Sequence, residues 1–121
     1  TLLATGHLVW PALQAAEKLA AAGVNAEVIN IHTIKPFDEE AVLASIQRTG
    51  CVVTAEEHQQ YGGLGELTAG LLGQHLPTPL EMVAVRDSFG ESGTPEDLMA
   101  KYGLNEEAIV QAAHRVLSRR G

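Results

Sequence analysis

Apolar residues fall into two alternating kinds of segment along this chain: short, nearly continuous runs, and longer stretches with helical spacing. Leu2 to Thr5 is a short run stopped by Gly6, which predicts a first strand. A helix follows, starting between Leu8 and Pro11, because Pro11 fits only in a first turn. Its apolar face is Val9, Ala12, Leu13, Ala16, Leu19 and Ala20, and Gly23 is a natural C-terminal cap. Ala26 to Ile31 predicts a second strand, and His32 to Pro36 a loop. Asp38 caps a second helix, with Glu39 and Glu40 in the dipole-favoured first turn and Val42, Leu43 and Ile46 facing inward; Arg48 and Gly50 end it.

Cys51 to Ala55 reads as the third strand, and a helix from about Leu64 to His75 carries Leu64, Leu67, Leu71 and Leu72. Pro77 and Pro79 break the chain before a fourth strand, Glu81 to Val85. After the polar loop Arg86 to Gly93, Thr94-Pro95-Glu96-Asp97 opens a short helix as a capping box, closed by Tyr102 and Gly103. Asn105 caps a last helix whose buried face is Ile109, Val110, Ala113, Val116 and Leu117.

Four strand–helix units, with strands starting roughly 25 to 30 residues apart, predict right-handed crossovers and a parallel sheet. Short strands of almost purely apolar residues fit a sheet covered on both faces. The expected fold is therefore α/β: a three-layer α/β/α domain over residues 1–121, with a mainly parallel sheet of four strands. In such a sheet the loops after the strands share one edge. Here that edge collects Thr5-Gly6-His7, His32 to Pro36, Glu56 to Gly65, and Arg86 to Gly93.

Charge narrows the partners. Eight Lys and Arg stand against fifteen Asp and Glu, a net charge of −7. That argues against nucleic acid and anionic membrane, which reward a basic face. The one basic cluster, Arg115, Arg119 and Arg120, ends the last helix, where it complements the helix dipole. A single cysteine, Cys51, excludes an intrachain disulfide and reads as a small buried hydrophobe, with the cytoplasm as the expected compartment. No apolar run approaches a membrane span. The chain opens inside a strand without a start methionine, so it is expected to be part of something longer.

The candidate chemistry lies mainly between Val52 and Leu72. Gly63-Leu64-Gly65 followed by Thr68 misses the dinucleotide-binding spacing, and no Lys-Ser/Thr pair makes it a phosphate loop. Glu56 and Glu57 beside it would also repel a phosphate. A tight turn with close helix-on-strand packing is the simpler account. Glu56, Glu57 and His58 could form an acid/base set. Adjacent strand residues point to opposite faces, however, so the two carboxylates need not converge. A polar strand end, with one carboxylate satisfied by helix N–H groups, is the plain alternative; contact with a partner domain lies between. His7, His32 and His58 could share the edge, yet no pair of the five histidines has zinc-motif spacing. No Gly-x-Ser-x-Gly elbow supports hydrolysis. Phe89-Gly90-Glu91-Ser92-Gly93 reads as a turn into a capped helix or as a recognition loop, and Trp10 as an interface anchor or a core-closing ring.

Four segments in order carry a family resemblance: Leu3-Ala4-Thr5-Gly6; Val28 to Pro36 with Asp38; Val53 to His58 with Gly62-Gly63-Leu64-Gly65; and Phe89 to Gly93 with Pro95 and Lys101-Tyr102-Gly103-Leu104. Together they resemble the C-terminal domain of transketolase, which 1-deoxyxylulose-5-phosphate synthase and the beta subunits of 2-oxoacid dehydrogenases share. The wording of the third segment is similar to forms split into two polypeptides. The resemblance implies a thiamine-diphosphate enzyme moving two-carbon ketol units between sugar phosphates, as in the pentose phosphate pathway, and a homodimeric parent. It implies that the cofactor and its magnesium are held by other domains. No catalytic, cofactor-binding or metal residue is therefore expected in this chain, and alone it should be inactive. Its expected role is assembly with the thiamine-binding domains or subunits, with Glu56, Glu57, His58, Tyr61, Phe89 and Glu91 as candidate contact residues. The family sheet has an antiparallel first strand, which is expected to be missing here, leaving the spatial order second, first, third, fourth. The second strand would then be an open edge. The competing expectations are a related thiamine enzyme, a free-standing module binding a small cation or amine, and an enzyme using Glu57 and His58.

Overall fold

The computed structural model describes residues 1–32, 38–59, 63–85 and 105–120, apart from the side chains of residues 57–59 and 85. Tyr61, Phe89 and Glu91, the loop from Thr33 to Pro36 and the capping-box helix expected at Thr94 lie outside the described residues. The described elements are β1 (Leu2–Ala4), a 3-10 turn (Gly6–Leu8), α1 (Val9–Ala21), β2 (Val28–Asn30), α2 (Glu39–Thr49), β3 (Val52–Gln59), α3 (Leu64–His75), β4 (Leu80–Val85) and α4 (Glu106–Arg119).

The four strands form one parallel sheet, as the strand–helix spacing predicts, in the order β2-β1-β3-β4 that the family resemblance implies. Leu2 pairs with Val28 on one side and Val53 on the other. The chain leaves β1 toward β2 and later returns to β1's other flank as β3. The strand order thus reverses at β1, and the turns after β1 and β3 flank that point at the carboxyl edge.

Strand alternation sorts the core into two layers. Leu2, Ala4, Val53, Ala55 and Val83 pack against Ala12, Ala15 and Leu19 of α1 and Ile109, Ala112, Ala113 and Val116 of α4. Leu3 and Val52 point the other way, onto Val42 and Ile46 of α2 and Leu64, Leu71 and Leu72 of α3. Cys51 is buried, as expected. In α1 the buried line is Pro11, Ala12, Ala15 and Leu19, so Leu13 and Ala20 turn outward, contrary to the expected face. Helical spacing alone left the phase open; packing against β1 and α4 sets it. Trp10 is 66% exposed and does not close the core.

Helix ends follow local chemistry. The Asp38 side chain accepts the Ala41 N–H at 3.1 Å, and Asn105 accepts that of Ala108 at 2.9 Å. Gly50 ends α2 with φ +81°, a left-handed conformation that favours glycine. The C-terminal arginines do more than offset a dipole. Arg115 and Arg119 both donate to the Glu81 carboxylate on β4, Arg119 also to the Leu80 carbonyl, and Arg120 to the Thr49 carbonyl. They tie α4 to β4 and to the end of α2. On the far side, Glu27 accepts from Arg48 at 2.9 and 3.0 Å and from the Ser45 hydroxyl, fixing α2 to the strand before it.

Two glycines of α3 predict opposite responses to alanine. A Cβ on Gly65 would lie 2.7 Å from the Met82 sulfur, 2.9 Å from its Cγ and 3.2 Å from the Thr54 hydroxyl, whereas one on Gly70 would meet nothing within 4 Å. Gly65→Ala should therefore cost about 1–3 kcal/mol through overpacking. Gly70→Ala should stabilise by about 0.5–1 kcal/mol through helix propensity and a less flexible unfolded chain. Urea unfolding of the two variants checks this, and equal signs would contradict the close approach at Gly65.

Glu27 predicts an acid response. Its hydrogen bond to Arg48, and then that to Ser45, hold its carboxyl down to about 2 from an ordinary 4.5. A lowered folded-state value gives stability that is complete above the unfolded value and lost as pH falls through the folded one. The gap in melting temperature between wild type and Glu27→Gln should be small, because the pair is solvent-exposed. It should be constant near pH 7 and should close between pH 4.5 and 2. Melts at successive pH values measure it; a gap unchanged at pH 2 would assign the effect to packing instead.

Candidate functional site

The carboxyl edge of the sheet is built around β3 and the turn into α3. On β3 the side chains of Val52, Thr54 and Glu56 share the face that meets α3, because every second residue points the same way. Strand alternation thus carries a carboxylate into the layer between sheet and helix. Glu56 is 1% exposed. Its Oε1 accepts the Leu64 N–H at 2.9 Å and its Oε2 the Gly65 N–H at 2.7 Å, and both bonds are buried.

Those two amides need an acceptor. The first N–H groups of a helix have no partner within the helix, and Gly63 at the N-cap position of α3 has no side chain to supply one. Glu56 supplies it from eight residues upstream. Hydrogen bonds to a charged acceptor contribute about 1.5–3 kcal/mol each, more than the ~1 kcal/mol of a local cap. The approach depends on Gly65, whose missing Cβ lets the first turn of α3 lie against Met82 and Thr54.

β3 runs four residues beyond the Ala55 at which its sequence signal ends, and the ladder to β4 slips there. Ala55 pairs with Val83, but Gln59 with Val85, so four steps on β3 match two on β4. Glu56, Glu57 and His58 sit inside this irregularity. Such slips re-aim side chains, so simple alternation no longer applies beyond Glu56.

Glu56 is among the candidate contact residues, and the structure shows where its side chain lies. Its carboxylate is inside the chain and engaged with the helix amides, as a polar strand end satisfied by helix N–H groups would be. The backbones of Glu57 and His58 are placed on the last residues of β3, at the carboxyl edge. His7 in the 3-10 turn and His32 after β2 are exposed at the same edge. Among the described residues no three His, Cys, Asp or Glu side chains gather as metal ligands would. Nor does the start of α3 suit a diphosphate: its leading amides are taken, and the acceptor is itself an anion. A cleft lies at the opposite, amino end of the sheet, lined by residues that include Leu2, Val24, Glu27, Arg48 and Arg120, but its Glu27 and Arg48 already pair with each other. The Glu27–Arg48 and Glu81–Arg119 pairs had no signal in the sequence, since their members lie 21 and 38 residues apart.

Comparison with known proteins agrees with this architecture. The family model for the transketolase C-terminal domain matches residues 1–109. The chain is 55% identical over 120 residues to a 6-deoxy-6-sulfo-D-fructose transketolase subunit of Clostridium sp. strain MSTE9, covering 99% of this chain and 37% of that protein. It is 34% identical to an apulose-4-phosphate transketolase subunit of Phocaeicola vulgatus, covering 93% of this chain and 36% of that one. With a 1-deoxy-D-xylulose-5-phosphate synthase of Geobacter sulfurreducens it shares 37% identity, over 99% of this chain and 19% of the enzyme. A solved chain of a split-gene transketolase, described as an inactive beta4 tetramer, superposes with a TM-score of 0.92 at 42% identity, covering 99% of this chain and 39% of its own length. The chain therefore spans well under half of the relatives it matches. By its fold, by the family match over 109 of its 121 residues and by these identities, it belongs to the transketolase C-terminal domain family.

Proposed function

We propose that this chain is the C-terminal assembly domain of a split transketolase, an enzyme that transfers two-carbon ketol units between sugars with thiamine diphosphate and magnesium held elsewhere in the complex. The observation that carries the reading is the 55% identity, over 99% of this chain, to a transketolase subunit. The chemistry of the edge supports it from the other side. The helix start that could have bound a diphosphate is filled by Glu56. In this reading the chain supplies a folded surface, and the cofactor site lies in the partner.

The partners in this reading are the thiamine-binding domains or subunits of the same enzyme, within a dimeric parent that works in the cytoplasm. No helix among the described residues is long and apolar enough to cross a membrane, and the net charge of −7 disfavours nucleic acid. The contact groups are Glu57 and His58 at the end of β3, with Tyr61, Phe89 and Glu91. The higher identity to the sulfofructose transketolase than to the apulose-4-phosphate one, 55% against 34%, favours a ketose donor with a sulfonate at C6.

The test uses the full-length subunit that carries this chain, mixed with its thiamine-binding partner. The mixture should transfer a ketol unit from 6-deoxy-6-sulfofructose to an aldose phosphate, and neither component should do so alone. Glu57→Gln with His58→Asn should raise the dissociation constant for the partner about tenfold, ~1.4 kcal/mol, while leaving the melting temperature within a few degrees. Titrating thiamine diphosphate and magnesium into the 1–121 chain should give no saturable heat. Micromolar binding there, or a melting-temperature loss in the double variant equal to that of Leu71→Ala, contradicts the reading.

A further inference from the structure

The clasp between Glu56 and α3 does something that ordinary capping does not. A local cap joins residues three apart, as Asp38 and Asn105 do. Glu56 joins residues eight and nine apart, across the point where β3 leaves its ladder register with β4. Up to Ala55, each β3 residue is held in step by its β4 partner. From Glu56 to His58 that registration lapses and resumes only at Gln59 opposite Val85. The buried carboxylate stands at the start of the lapse, bonded to a helix whose position is set by the contact of Gly65 with Met82 and Thr54. Met82 belongs to β4 and Thr54 to β3, so the clasp refers the end of β3 back to both strands through α3.

We propose that Glu56 is a positioning residue for assembly: it fixes the path of Glu57 and His58 through the register slip at the end of β3, and so prepares the edge for its partner before binding. This rests on the assembly reading above. A carboxylate is required and not merely a polar group, because both oxygens accept N–H donors. Glutamine has the same size but only one acceptor oxygen; its NH2 would face the second N–H, and flipping the amide only exchanges which one.

The experiment compares full-length subunits carrying Glu56→Gln, Leu71→Ala, or Glu57→Gln with His58→Asn, each titrated with the thiamine-binding partner. Leu71 is buried in the C-terminal half of α3, about two turns from Leu64, and serves as a stability control. Glu56→Gln should weaken partner binding at least tenfold, while Leu71→Ala, with an equal or larger fall in melting temperature, should bind within twofold of wild type. Binding by Glu56→Gln within twofold of wild type, or an equal loss in Leu71→Ala, overturns the proposal. If the Glu57/His58 variant binds as wild type does, the assembly reading of this edge fails, and this proposal with it. If that variant is weakened and Glu56→Gln is not, only the proposal fails. A measurement on the wild type covers the case in which Glu56→Gln does not fold. Hydrogen exchange at the Leu64 and Gly65 amides of the free subunit should be as slow as in the complex; fast exchange in the free subunit means the clasp is not preformed and overturns the proposal.

Discussion

A helix that starts against a sheet buries N–H groups that nothing in the helix can satisfy, and the rest of this molecule's working edge depends on how that demand is met. In α3 the N-cap is Gly63, which brings no acceptor. Glu56 brings two. That choice has consequences in both directions. It draws the end of β3 and the start of α3 together, which requires a residue without a Cβ at Gly65. It also occupies the anion-binding feature of a strand–turn–helix unit with the protein's own anion. The same backbone arrangement that cradles phosphates in other α/β domains is here closed to them.

The remaining contacts distribute the work of holding the layers. Each outer pair of helices covers one face of the sheet through apolar residues of alternate strand parity. Arg115, Arg119 and Arg120 add directional bonds from α4 to β4 and to the end of α2, and Glu27 does the same between α2 and the approach to β2. These ion pairs are solvent-exposed and individually weak; their role is to set the angle of helices that hydrophobic packing alone would leave freer. What results is a layered α/β/α arrangement that presents His7 and His32, among the described residues, at its carboxyl edge.

Much of this was legible from residue order. The strand–helix alternation, the caps at Asp38 and Asn105, and the limits of α3 at Leu64 and His75 all follow from local signals: periodicity of two or 3.6, capping side chains and glycine stops; the sheet order was legible only through the family resemblance. The misses share a cause. Leu13 and Ala20 lie on an apolar stripe wider than the buried one, so their exposure depends on how α1 rotates against β1 and α4. The extension of β3 to Gln59 depends on a neighbouring strand, not on the polar residues that compose it.

Of the Glu-Glu-His segment, the sequence by itself determined that carboxylates and an imidazole end a central strand just before a glycine-opened helix. That much is chemistry of neighbours along the chain. It left open whether Glu56 faced solvent, a partner or the helix, because each is compatible with a polar strand end. Only the tertiary structure decided it. Strand alternation aims Glu56 at α3, and the unsatisfied amides of Leu64 and Gly65 make that buried position favourable for an anion.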